Sequence, residues 1–299
     1  MNVLVYLIGL LIGAAVFFYF LSLYHSGTDA FAARRAAGKK TLLPFLTAGY
    51  PDLQTTAGLL GDFASRGVRI CELGIPFSDP VADGPVIQAS YTDALANGVT
   101  SDKIFEMVKE FRRGNPQSAI HNPQLAVIAM VSYSIVFRHG VERYFKDAAA
   151  AGLDGLIIPD LPLDEAVTVA PLAEAHGLAN ILLISPTTSP ARRLEIARHS
   201  SGFIYYMSVA GITGERKTLP PATIQAVTEL RQQTQTPICV GFGVSSPQSV
   251  EEVCKAADGA IVGSAIVHRI AEAVKKGLPR ERIVTEVGQF VAELLAPIS

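Results

Sequence analysis

The chain has 299 residues, which bounds it to one large domain or two small ones. Its 25 basic and 27 acidic residues leave a formal net charge of −2, which excludes the electrostatic footprint of a nucleic-acid-binding protein. Three cysteines with no CxxC pair fit a reducing compartment, and the six histidines show no HExxH spacing, so no metal is expected.

The first predicted element is apolar. No charged residue occurs from Val3 to Tyr24, and roughly 20 apolar residues suffice to span a bilayer as a helix. The run lacks a basic n-region and a small-x-small cleavage site, which argues against a secretory signal. Arg34, Arg35, Lys39 and Lys40 follow it, so the positive-inside rule puts the body of the protein in the cytoplasm. Two readings stay open: a single transmembrane helix over residues 3–24, or a misassigned translation start absent from the working protein. Residues 1–27 are therefore set apart from residues 28–299.

From about Thr28 onward, short β-rich runs alternate with longer helical stretches. The predicted strands are Thr41–Leu46, Val68–Leu73, Leu125–Val131, Gly155–Ile158, Asn180–Ile184, Gly202–Met207, Pro237–Val240 and Gly259–Val262. Most are rich in Val, Ile, Leu and Phe, as parallel strands covered on both faces must be. Predicted helices include Ser101–Arg113, Val141–Ala151, Leu163–His176, Ala191–His199, Pro221–Gln233 and Pro247–Ala257, with Asp102, Asp164 and Ser246 as capping or first-turn residues. Eight β-α alternations without a composition break read as an α/β fold, a (β/α)8 TIM barrel formed as one domain.

The connection after the second strand is the outlier. Glu72-Leu-Gly-Ile-Pro-Phe-Ser-Asp-Pro-Val-Ala-Asp-Gly-Pro85 places Glu72 at a strand end and Asp83 in a loop stiffened by Pro76, Pro80 and Pro85. Ile70 and Glu72 share one strand face. If Ile70 points into the barrel, Glu72 does too, where desolvation raises its pKa and suits it to proton shuttling. Asp83 precedes a predicted helix from about Val86 to Asn97, and bonds from that helix's first turn would keep it ionised. Carboxylates in unlike surroundings can divide acid and base roles.

Glycines fall at the ends of the last three strands: Thr213-Gly214, Gly241-Phe242-Gly243 and Gly263-Ser264, the last opening a helical stretch. Backbone N–H groups there can bind a phosphate, and barrels place that site after strands seven and eight. The loop Val209–Pro221 has the length of a lid. Phe45, Val131, Ile184, Phe242 and Tyr205 could line a flat pocket for an aromatic ring. No Lys stands at a strand end, so a Schiff-base mechanism lacks its amine.

Together Leu43–Asp52, Glu72–Pro85, Pro159–Pro162, Ser208–Gly214, Val240–Val244 and Val262–Ala265 resemble the tryptophan synthase alpha subunit family, in order, from about Asp29 to the C-terminus. The resemblance implies retro-aldol cleavage of indole-3-glycerol phosphate to indole and glyceraldehyde 3-phosphate. It implies Glu72 and Asp83 as the catalytic acids, and Gly214, Gly243, Gly263 and Ser264 at the phosphate. Phe45, Tyr205 and Thr213 join them in binding substrate. It implies no cofactor in this chain and a PLP-dependent beta subunit as partner, in an alpha2-beta2 complex. Asp79 and Asp160 match positions tied to activity and coupling. The family's Tyr-Asn-Pro after strand three is replaced by Tyr133-Ser134-Ile135.

Two other readings compete. One is a different phosphate-binding barrel, such as a sugar-phosphate epimerase or isomerase, which the pocket aromatics disfavour. The other is a membrane-tethered subunit that binds ligand and activates a partner, which the intact pair of acids disfavours.

Overall fold

The structure, a computed structural model, describes residues 31, 34–80, 83–114, 125–208, 220–241 and 243–299. The apolar run Val3–Tyr24, most of the predicted lid with Thr213 and Gly214, and Phe242 lie outside the described residues. Among the described residues, no helix is long and apolar enough to cross a membrane.

Among the described residues, nine strand segments form one parallel sheet: β1 (Thr41–Thr47), β2 (Ile70–Gly74), β3 (Ala126–Met130), β4 (Gly155–Ile157), β5 (Ala179–Ile181), β6 (Leu183–Ile184), β7 (Ile204–Met207), β8 (Ile238–Gly241) and β9 (Gly259–Val262). Their order is β5-β4-β3-β2-β1-β9-β8-β7-β6. The predicted strand Asn180–Ile184 is broken at Leu182: β5 pairs with β4, and β6 pairs with β7. The Leu182 carbonyl still accepts from the Tyr205 N–H at 3.1 Å. A single residue therefore joins the two ends of the sheet, and nine segments fill the eight positions of a closed barrel.

All seven residues of β1 and all five of β2 are buried. Alternation sends them to two different cores. Leu43, Ile70, Ile128, Ile157, Ile181 and Ile261 fill the barrel interior. Leu42, Leu46, Cys71, Leu73, Val127 and Leu156 face the helical layer. Each such side chain, fully buried, contributes about 1.5–3 kcal/mol, which explains why these runs carry so few polar residues.

Helices α1 (Leu53–Ser65), α2 (Pro85–Ala96), α3 (Ser101–Arg113), α4 (Tyr133–His139), α5 (Val141–Ala151), α6 (Leu163–Ala175), α7 (Pro190–His199), α8 (Pro221–Arg231), α9 (Pro247–Ala256), α10 (Ser264–Lys275) and α11 (Arg280–Leu295) cover the barrel. Asp52 caps α1, accepting from the Thr55 N–H at 2.7 Å. Ser246 and Ser249 form a capping box at α9. Asp102 and Asp164 lie in first turns, with Thr100 and Pro162 at the cap positions. The last helix, α11, packs against α1, so the outer ring closes as the sheet does.

At the N-terminal ends of the strands the barrel has a floor. Phe31 packs its ring 5.7 Å from that of Phe203. Arg34 donates to the Ile298 carbonyl at 3.1 Å. Asp258, 7 % exposed, pairs with Arg35 and Arg231.

Candidate active site

The opposite rim gathers most of the predicted site. Strands β2, β1, β9, β8 and β7 are consecutive neighbours. Glu72 is on β2, Phe45 on β1, Gly263 just past β9, Gly243 just past β8 and Tyr205 on β7. Register sets Phe45 beside Glu72 and Glu72 beside Ile128. Ile70, two residues before Glu72, is in the barrel interior, so Glu72 rises from the inward face of β2.

Glu72 is 1 % exposed, and its Oε2 has no hydrogen-bond partner. A buried, unpaired carboxyl oxygen is costly, and such groups cluster where a ligand completes them. Burial, and then the negative charge of Asp83, push the Glu72 carboxyl up to about 8.

Asp83 differs from the sequence expectation. The cap of α2 is Gly84, and no side chain bonds to that helix start. Burial instead pushes the Asp83 carboxyl up to about 6. Its backbone is pinned: Asp83 N–H donates to the Pro80 carbonyl at 3.1 Å, and the Gln88 amide donates to the carbonyls of Asp83 (2.8 Å) and Pro80 (3.2 Å). Gln88, one turn into α2, holds the acid loop against its helix. Sequence reading passed over it because an amide in a helix's first turns has no distinctive pattern.

The far side of the rim is glycine-lined. Gly243 has φ +85, a conformation that favours glycine. Gly263 is the N-cap of α10, and no side chain caps that helix. A Cβ on Gly263 would stand 3.5 Å from the Phe45 Cβ. One on Gly241 would stand 2.6 Å from the Tyr205 hydroxyl and 2.9 Å from its ring. Tyr205 is only 5 % exposed and has little room to retreat. Gly241→Ala is therefore expected to displace Tyr205 and destabilise the fold by about 1–3 kcal/mol, the usual cost of overpacking. Urea unfolding of the variant checks this.

The pocket wall needs a correction. Val131 and Ile184 each stand one residue beyond an inward side chain, so alternation turns them away from the barrel interior. The inward residues of those strands are Met130 and Leu183, packed against the interior cluster. Register sets Leu183 beside Tyr205. β3 ends at Met130, and moving one residue along a strand flips the face.

Outside the mouth, Asp160 ties two rim loops together. Its carboxylate accepts from the Ser132 hydroxyl and the Tyr133 N–H, both at 2.7 Å. Ser134 joins through a 2.9 Å contact with the Ser132 hydroxyl. Asp79 is exposed. Among the described residues, no group of three or more His, Cys, Asp or Glu is placed to hold a metal ion.

A closed parallel barrel with an unpaired acid buried at its C-terminal rim is the architecture of a barrel enzyme. The model of one barrel family, the tryptophan synthase alpha chain, matches residues 31–294. Curated relatives named tryptophan synthase alpha chain include one from Rhodopirellula baltica, 41% identical, covering 88% of this chain and 95% of the relative. Another, from Prochlorococcus marinus, is 44% identical over 89% of this chain and 93% of the relative. The crystal structure of tryptophan synthase subunit alpha from Legionella pneumophila superposes with a TM-score of 0.81 at 33% identity, covering 91% of this chain and 98% of that one. A chain of Mycobacterium tuberculosis tryptophan synthase gives 0.78 at 31% identity, covering 90% and 96%. The chain belongs to the tryptophan synthase alpha chain family.

Proposed function

We propose that this chain is a carbon–carbon lyase that cleaves indole-3-glycerol phosphate to indole and glyceraldehyde 3-phosphate, with Glu72 and Asp83 as its catalytic acids. The observation that carries the assignment of roles is the unpaired, buried Glu72 carboxyl beside a second acid with a lower pKa. At neutral pH Glu72 holds its proton while Asp83 is mostly ionised. Glu72 protonates indole C3. The ring nitrogen becomes positive, and Asp83 accepts a hydrogen bond from its N–H. The Glu72 carboxylate then takes the proton of the hydroxyl on the adjacent carbon. The C–C bond breaks, its electrons restore the aromatic ring, and the oxygen becomes the aldehyde carbonyl. Glu72 ends protonated again.

The substrate's phosphate is assigned to Gly243, Gly263 and Ser264, where α10 presents an uncapped N-terminus. Thr213 and Gly214 complete that assignment from outside the described residues. Phe45 and Tyr205 hold the ring between the two ends. This chain needs no cofactor of its own; PLP belongs to the beta subunit. That partner, in an alpha2-beta2 complex, fits the Asp160-linked loops that begin α4. The barrel is read as one domain over residues 28–299, in the cytoplasm.

Indole release from indole-3-glycerol phosphate tests the reading. It is expected to rise at least tenfold when a tryptophan synthase beta subunit is added. Absence of release in both conditions, from protein with a native unfolding transition, overturns it.

A further inference from the structure

A second phenol stands beside the acids, on a residue outside the predicted set. Tyr91 lies on α2, two turns after Asp83, and is 3 % exposed. A Cβ on Gly74 would stand 2.6 Å from the Tyr91 hydroxyl and 2.7 Å from Cε2 of Phe45. Gly74 is two residues beyond Glu72 on β2, so that missing Cβ would point to the side where Glu72 stands. The Tyr91 hydroxyl therefore occupies the inward side of β2, directly above Glu72 in the barrel mouth. Tyr205 repeats the arrangement across the rim, its hydroxyl seated where a Cβ of Gly241 would be. Each phenol fits because a glycine ends the strand beneath it.

Helix α2 packs against β1 and against α10, the helix that begins at Gly263. Tyr91 thus stands on the element that joins the acid loop to the glycine-lined side. A substrate running from Glu72 to Gly263 must cross the end of β1, past Phe45 and this hydroxyl. Burial, then the charges of Asp83 and Glu72, push the Tyr91 phenol well above its ordinary range, so it remains a neutral donor.

We propose that Tyr91 is a further catalytic residue of the lyase, donating a hydrogen bond to the substrate hydroxyl oxygen as Glu72 removes its proton. The proposal rests on the reading of Glu72 given above. That oxygen gains negative charge while the C–C bond breaks, and a donor already fixed in a water-poor mouth stabilises the charge without reorganising. The hydroxyl keeps its own proton throughout, so the proton count of the reaction is unchanged.

Tyr91→Phe keeps the packed ring and removes only the donor. In the full chain with a beta subunit, kcat is expected to fall by about 30-fold or more, with KM changed less than threefold. An indole-3-alkyl phosphate without hydroxyls is expected to bind parent and variant alike. A kcat within twofold of the parent overturns the proposal. So does a loss of affinity for the hydroxyl-free phosphate as large as the loss of rate, which marks a structural effect. Parent protein that releases no indole overturns the lyase reading and this proposal together, whereas an active parent with an equally active Tyr91→Phe removes only the role of Tyr91.

Discussion

Glu72→Gln is expected to lower indole formation at least about 1,000-fold, since one side chain performs two proton transfers. The amide keeps the size and polarity of the acid but can neither give nor take the proton. Substrate binding is expected to survive, because the ring and phosphate are held elsewhere. Single-turnover cleavage and equilibrium binding measured on the same preparation separate the two effects. Activity within tenfold of the parent removes Glu72 from its role. The same variant carries a stability signature. The Glu72 carboxyl sits at about 8 in the folded protein against 4.5 for an ordinary glutamate. A raised acid favours the folded state fully only below pH 4.5; that contribution is lost as pH rises toward 8. At neutral pH the parent therefore forgoes on the order of 3 kcal/mol. Glu72→Gln should be the more stable protein at pH 8, with the difference shrinking as pH falls toward 5.

The pH dependence of kcat/KM should be bell-shaped, with limbs near 6 and 8 set by the acid pair. The signs follow from the roles. Asp83 must be ionised to accept from the ring N–H, so activity falls as pH drops below about 6. Glu72 must start protonated, so activity falls as pH rises above about 8. Asp83→Asn is expected to cost about 100-fold at neutral pH and to abolish the acid limb while the basic limb remains. The basic limb should also move down, because removing the Asp83 charge removes one of the two causes that raise Glu72. A profile flat from pH 5 to 9 in the parent, with chemistry rate-limiting, contradicts the assignment of both acids.

Much of the barrel was legible because parallel strands buried on both faces are built almost wholly of apolar residues, so each reads as an apolar run between helical stretches, and the acid on β2 stands out against that background. The inward placement of Glu72 followed from alternation with Ile70. The same rule failed for Val131 and Ile184 because it needs the strand end to the residue, and local sequence does not supply that. The break at Leu182 was hidden for a related reason: it is where a curved sheet meets itself, a property of the whole circuit. α4 was unread because it spans only seven residues; Ser132 caps it locally, and the Asp160 carboxylate adds a bond from Tyr133 N–H, 27 residues away. α1 and α11 also went unread. Asp83 shows the limit for electrostatics. Its place before a helix suggested stabilisation of the charge, but desolvation from the surrounding rim decides its titration. Tyr91 had no signal beyond being an aromatic residue on a helix; only the space above Gly74 reveals what its hydroxyl reaches.

The barrel floor bears on how this protein can be connected to other things. Phe31 packs on Phe203 at the strand starts, and Arg34 reaches the Ile298 carbonyl. The beginning and end of the described chain are therefore neighbours, on the face opposite Glu72. The chain enters the barrel through Phe31 at the base of the molecule, on the face away from the mouth. The same adjacency makes the barrel suited to circular permutation: a short peptide can link its ends, and new termini can be opened in a surface turn remote from the rim.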